Sequence, residues 1–245
     1  MGLLGIIGGT GLDRLDLVRE RDERPVTTPY GAPSAPLVQG RIGTQAVVFL
    51  ARHGHEHTVA PHEINYRANL RALHDAGVTE IVAVAAVGGI ADGPVPGGLV
   101  IPDQLIDYTH DRPATFHEGP GSAVEHVDFT WPYTTALRRR LLEAAAAAGI
   151  DVLDGGCYGA TQGPRLETAA EIARLERDGC TLVGMTGMPE AVLARELGVD
   201  YACCAVIANQ AAGKSGTVIA VREIETNLRG GMDRVRALLE QLGHQ

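Results

Sequence analysis

The sequence lacks several features that would settle its function class early. It has no block of Lys and Arg: 21 Lys plus Arg stand against 30 Asp plus Glu, a formal charge of −9. An acidic chain of this kind is a poor partner for nucleic acid or an anionic membrane surface, so any anionic ligand has to be held by a few local donors. It has no apolar run long enough to cross a bilayer, because AVAAVGGIADG is short and broken by glycine. The opening MGLLGIIGGTGL has no basic segment and breaks into glycines after Ile7, which suits a short strand and a tight loop rather than a targeting segment. The four cysteines (Cys157, Cys180, Cys203 and Cys204) show no CxxC spacing and no framework density. They read as reduced thiols in or near the core, and the expected compartment is reducing and cytoplasmic.

Glycine and short apolar runs are plentiful. Gly and Pro fill 44 of 245 positions, so loops are many. Strands are expected at 3–7, 45–51, 80–86, 98–101, 155–160, 181–184 and 200–207. These runs are continuously apolar rather than alternating, as in strands covered on both faces. Helices are expected at 62–76, where Tyr66, Leu70 and Leu73 share a face, and at 135–148, 168–178, 189–197 and 223–242. The last carries a core-facing stripe of Val235, Leu238, Leu239 and Leu242. Gly149 marks a helix stop, and TPYGAPSAP at 28–36 reads as a loop between elements. With no repeat and no linker, residues 1–245 are expected to form a single α/β domain with a mixed, largely buried sheet flanked by helices.

Three segments carry chemistry. In GIIGGTGL, residues 5–12, a strand runs into a glycine loop whose N–H groups and Thr10 hydroxyl suit an anion, or simply a tight turn. The G-x-G-x-x-G order and the P-loop lysine are both missing, so a dinucleotide site is disfavoured. In ARHGHEHTVAPHEINYRANL, residues 51–70, Arg52 and His53 follow an apolar strand, where open α/β sheets place ligands. Arg52 offers a planar fork suited to phosphate. An extended backbone would put His53, His55 and His57 on one face, a pattern that invites a metal. The spacing departs from the His-x-His-x-Asp-His signature of metallo-hydrolases, and buried neutral imidazoles are the competing reading. No metal site is assigned. The third segment spans 160–213 and contains GPRLET and VGMTGMPEA.

Taken with GGTGL, RHGH…NYRANL and AVGGI, this segment resembles the trimeric purine nucleoside phosphorylase and methylthioadenosine phosphorylase family, from residue 5 to about 225. The resemblance implies a nucleoside phosphorylase-like fold and a phosphorolytic enzyme. Inorganic phosphate would attack C1′ of a purine nucleoside and release the base, with no paired carboxylates of the glycosidase kind and no cofactor beyond the phosphate co-substrate. Carried over to this chain, Thr10, Arg52, His53, the Ala86 backbone and Thr186 would hold phosphate, and Met185 would pack under the ribose. Leu166, Glu167 and Asn209 would read the base, with Arg52, His53 and Asn209 as the catalytic group. Leu166 stands where the family usually has a stacking Phe.

Within that resemblance, base and sugar contacts point in different directions. Asn209 and Ala211 stand where adenine-preferring members carry Asp, and Glu167 matches the Glu of 6-oxopurine members, although it could instead cap the helix near Thr168. The stretch 216–228 lacks the His that would bond a 5′-hydroxyl. Val218, Ile219, Val221 and Ile224 offer an apolar wall there, suited to a 5′-methylthio group or to plain core packing. His126 matches a position that reaches a neighbouring subunit's 5′ pocket in a homotrimer. The expected substrate is thus a methylthioinosine-type nucleoside. Inosine, guanosine and methylthioadenosine phosphorolysis remain alternatives, and a histidine-metal hydrolase and a non-catalytic nucleoside-binding protein are rivals of different class.

Overall fold

The computed structural model describes residues 2–245 apart from Asp13, Arg14, Pro120, Ser122 and Thr217, and Val221 through its backbone only. Its strands in chain order are β1 (Leu3–Gly8), β2 (Arg19–Arg24), β3 (Leu37–Ile42), β4 (Gln45–Ala51), β5 (Val78–Gly89), β6 (Leu99–Ile101), β7 (Gln104–Asp107), β8 (Val152–Asp154), β9 (Cys157–Ala160), β10 (Leu182–Gly184) and β11 (Asp200–Gln210). The helices are α1 (Tyr66–Asp75), α2 (Thr135–Ala147), α3 (Ala169–Arg177), α4 (Gly187–Glu196) and α5 (Val221–Leu242). Among the described residues the strands join in one mixed sheet, as expected.

The continuously apolar runs became the middle of that sheet. β4, β1, β5 and β11 lie side by side in parallel, with Ile6 opposite both Phe49 and Val82, and Ala202 opposite Val82 from the other side. Covered on both faces, these strands form the centre of the buried core. The α5 stripe closes it, with Val235, Leu238, Leu239 and Leu242 all buried. The long β5 also splits the sheet. It pairs β11 along nearly its whole length, while Gly88 and Gly89 at its end pair antiparallel with β10, which continues to β9 and β7.

Four strands were not anticipated: β2, β3, β7 and β8. β2 reads RERDER and is exposed throughout, so it has no apolar pattern to find. It is a strand because it ladders onto β3, and its charges suit the end of a sheet, where a polar edge discourages pairing with other chains.

The parallel centre matters because it aligns strand ends. The chain leaves the carboxyl ends of β1, β4, β5 and β11 through Gly9–Thr10, Arg52–His53, Gly88–Gly89 and Asn209–Ala211, the edge where open α/β sheets bind ligands. No helix among the described residues is long and apolar enough to cross a membrane.

Candidate active site

A cavity enclosing about 820 Å³, open solvent included, lies at that edge. Thr10, Arg52, His53, Ala86, Leu166, Glu167, Met185, Thr186, Asn209 and Ile224 all line it, so residues spread over 215 positions of sequence are gathered in one place. Its apolar lining also includes Pro61, Ile219 and Leu228.

One side is built around Arg52, which is buried to 1% exposure. Its Nε donates to Glu190 Oε2 at 2.7 Å and its Nη2 to Glu190 Oε1 at 2.8 Å, while Nη1 donates to the Val84 carbonyl at 2.8 Å. Sequence reasoning offered the whole fork to phosphate; instead one edge of the fork is spent on Glu190. One N–H on each of Nη1 and Nη2 is left over, because a guanidinium has five. Burial works against the charge, but the Glu190 carboxylate outweighs it and holds Arg52 protonated well above its ordinary value. Glu190 also accepts from the Tyr201 hydroxyl at 2.8 Å. Gly9 is required beside this pair, since a Cβ there would lie 2.5 Å from the Val84 carbonyl and 2.9 Å from Arg52 Nη1.

His53 lies next to it. Its Nδ1 is 2.8 Å from the Val59 carbonyl and therefore carries the proton, leaving Nε2 as an acceptor. Burial, then the neighbouring guanidinium, lowers its pKa to about 4. The three alternate histidines do not share a face: the chain turns after Ala51, and His55 pairs with Glu23 at 3.4 Å. Only His53 and His57 approach, at 4.6 Å between ring centres. Among the described residues no group of three or more His, Cys, Asp or Glu is arranged to hold a metal.

The depressed His53 value has a testable consequence. Between pH 6.5 and about 4 the unfolded chain binds a proton that the folded chain refuses, so stability falls as pH falls through that window. The contribution is present above 6.5 and amounts to about 3 kcal/mol at full loss, at 1.36 kcal/mol per pKa unit. Urea unfolding at pH 7 and pH 4.5 should show a smaller drop in His53→Asn than in the wild type. Equal drops would mean His53 is not held neutral.

The side facing it is made by β10, β11 and the coil that leads into α3. At the end of β11 the register with β5 shifts between Ile207 and Asn209. A strict two-residue alternation would turn Ala208 and Asn209 to opposite faces; the irregularity lets both face the cavity. Asn209 Nδ2 donates to the Gln210 carbonyl at 2.6 Å, which fixes its rotation and leaves its second N–H and Oδ1 for a ligand. Ala211 also lines the cavity. Glu167 accepts from the Thr161 hydroxyl at 2.6 Å. It does not cap α3, because Thr168 accepts from Glu171 N at 3.1 Å and Glu171 bonds back to Thr168 N at 2.7 Å. Leu166 lines the cavity but is 47% exposed.

The apolar wall is only partly the expected one. Ile219 and Ile224 line the cavity with Leu228, whereas Val218 is 92% exposed and points away. The side chain of Val221 lies outside the described residues. His126 is exposed and does not line the cavity of its own chain.

Sequence reasoning missed the residues that hold the liners. Buried Arg112 donates from Nη1 to the Met185 and Met188 carbonyls at 2.8 and 2.7 Å and from Nη2 to the Gln162 carbonyl at 2.7 Å. It thereby ties two walls together from a coil that sits far away in sequence. The Tyr158 hydroxyl accepts from Thr186 N at 3.4 Å, and a Cβ on Gly184 would come within 2.1 Å of that hydroxyl. Only Glu190 left a trace in the sequence: it is a lone carboxylate in the otherwise uncharged run VGMTGMPEAVLA.

Comparison with known proteins points to one family. The sequence profile of the phosphorylase superfamily matches residues 3–242. A probable S-methyl-5′-thioinosine phosphorylase from Pseudomonas syringae pv. tomato is 53% identical over 242 residues, covering 99% of this chain and 98% of that protein. A 6-oxopurine nucleoside phosphorylase from Pyrococcus furiosus is 44% identical over 229 residues, 91% of this chain and 85% of that one. Methylthioadenosine phosphorylase from Schistosoma mansoni, solved with adenine, superposes with a TM-score of 0.95 at 33% identity, covering 100% of this chain and 91% of that one. With strand ends, cavity and nearly full-length matches in accord, the chain belongs to the phosphorylase superfamily.

Proposed function

We propose that this enzyme is a purine nucleoside phosphorylase that cleaves S-methyl-5′-thioinosine to hypoxanthine and 5-methylthioribose 1-phosphate. The observation carrying the proposal is that Glu167 and Asn209 share one cavity with the apolar Ile219, Ile224 and Leu228. A carboxylate accepts from the N1–H of a 6-oxopurine, and an amide donates to N7. An apolar wall favours a methylthio group by burial and leaves a 5′-hydroxyl short of a partner. The names of the relatives from Pseudomonas and Pyrococcus support the same base preference.

In this reading phosphate sits among Thr10, the spare Arg52 N–H groups, His53, the Ala86 backbone and Thr186. A phosphate oxygen forms the bond to C1′ while the C1′–N9 bond breaks and its electron pair passes to the purine. Asn209 bonds the N7 edge as that charge grows, which is where a fixed donor is most effective. Neutral His53 offers Nε2 as an acceptor to the phosphate's own O–H. Met185 lies under the sugar, and Leu166 covers the base. Phosphate is a co-substrate and no cofactor takes part. The enzyme works in the cytoplasm as a homotrimer, with His126 reaching across to the 5′ end of a neighbouring subunit's site.

The test is the initial rate of base release, with and without phosphate, on S-methyl-5′-thioinosine, inosine and S-methyl-5′-thioadenosine. The first should lead by about a hundredfold, about 2.7 kcal/mol of transition-state preference, and only when phosphate is present. Parity with inosine would overturn the 5′ wall. A lead for methylthioadenosine would overturn the base reading, and phosphate-independent release would overturn phosphorolysis.

A further inference from the structure

Glu167 stands on a boundary. It lines the cavity on one side and, on the other, a polar groove that also contains Tyr108, His110, Thr161, Arg165 and Arg174. The two guanidinium groups of that groove are already matched by acids, Arg165 by Glu171 at 2.7 Å and Arg174 by Asp178 at 3.7 Å, so it is a hydroxyl rather than a charge that turns Glu167. The contact that fixes its carboxylate is the Thr161 hydroxyl, 2.6 Å from Glu167 Oε1. A hydroxyl has one proton, and the other acceptor near this one, the Gly184 carbonyl, is farther away at 3.3 Å. Thr161 is itself immobilised: its N–H donates to the Gly184 carbonyl at 2.8 Å, and Arg112 Nη2 lies 3.3 Å from its carbonyl. With Oε1 taken, the rotation of the carboxylate is set and Oε2 remains for a ligand.

We propose that Thr161 is a specificity-determining positioning residue, which fixes the rotation of the Glu167 carboxylate by bonding Oε1 and leaving Oε2 for the base, and thereby sets the preference for 6-oxopurine over 6-aminopurine nucleosides. This inference rests on the base reading proposed above. A 6-oxopurine presents an N1–H that needs the acceptor; a 6-aminopurine presents a bare N1 and gains nothing from it. Loss of the Thr161 hydroxyl therefore acts on one class of base and spares the other.

The experiment compares wild type, Thr161→Val, which keeps the shape and removes the hydroxyl, and Thr161→Ser, which keeps the hydroxyl. Thr161→Val is expected to lower kcat/KM on S-methyl-5′-thioinosine about tenfold or more, mostly through KM, the scale of a hydrogen bond to a charged group. Activity on S-methyl-5′-thioadenosine and the KM for phosphate should stay within about twofold of wild type, since neither depends on a hydrogen bond to Glu167. Thr161→Ser should restore the wild-type ratio, and in a Glu167→Gln background Thr161→Val should have little further effect. An unchanged ratio in Thr161→Val overturns the inference, as does an equal loss on both nucleosides, which marks a merely structural role. A wild type that itself prefers methylthioadenosine overturns the base reading and this inference with it. A wild type that prefers methylthioinosine, with Thr161→Val keeping that preference, overturns this inference alone.

Discussion

Exchanging Glu190 for alanine is expected to destabilise the fold by about 3–5 kcal/mol, the cost of leaving one member of a buried ion pair without its partner. Both side chains are only 1% exposed, so water cannot replace the lost carboxylate. A typical domain has about 5–15 kcal/mol to lose, so this one change removes a large share. The surroundings offer no substitute. Burial holds Tyr201 and Tyr158 neutral, the latter pushed up to about 12, and a phenol cannot balance a cation. Urea denaturation measures the effect, and a loss under about 1 kcal/mol would show that the pair is not the anchor described here.

Should the alanine variant fail to fold, Glu190→Gln keeps the volume and an acceptor but removes the counter-charge. Its midpoint should then respond more strongly to inorganic phosphate than that of the wild type, because an anion bound to the folded state supplies the missing charge. An equal response in both proteins would mean that the spare Arg52 N–H groups do not face phosphate.

Exchanging Asn209 for aspartate is expected to cost about 10²–10³-fold in kcat on S-methyl-5′-thioinosine, the effect of removing one donor aimed at developing charge. An ionised carboxylate offers N7 no proton and repels the negative charge arriving on the purine. The same carboxylate accepts from an exocyclic 6-amino group, so activity on S-methyl-5′-thioadenosine should rise relative to wild type. The change is nearly isosteric, and the irregularity in β11 that turns Asn209 to the cavity is a property of the backbone, so the fold should persist. Steady-state kinetics on both nucleosides decide the matter: unchanged values on the two would remove Asn209 from the reaction.

The two substitutions probe sites of different legibility. Asn209 was visible because the family resemblance implies that the residue type at its position distinguishes base classes. Glu190 was printed inside GMTGMPEA, yet no role could be read for it, since nothing local says that Arg52, 138 positions earlier, ends beside it. Arg112 was less visible still. It sits in coil, outside every apolar pattern, and acts only through carbonyl groups supplied by distant segments. The expected strands at 45–51 and 200–207 matched β4 and the body of β11, because double-sided burial writes itself as a continuous apolar run. β2 and β8 did not, because one is uniformly charged and the other only three residues long.

The sequence by itself determined the α/β class, the central strands, the stripe of α5, the family, and most of the residues that line the cavity. Those properties depend on local periodicity or on short motifs whose spacing is preserved in the chain. The tertiary structure alone decided how the residues that line the cavity are held and aimed. It gave Glu190 half of the Arg52 fork, turned Val218 to solvent, placed the cap of α3 on Thr168, and set the Thr161 hydroxyl on the Glu167 carboxylate. Hydrogen-bond partners are chosen by proximity after packing, and the proximity of residues far apart in the chain exists only once the parallel strands have brought their carboxyl ends to one edge.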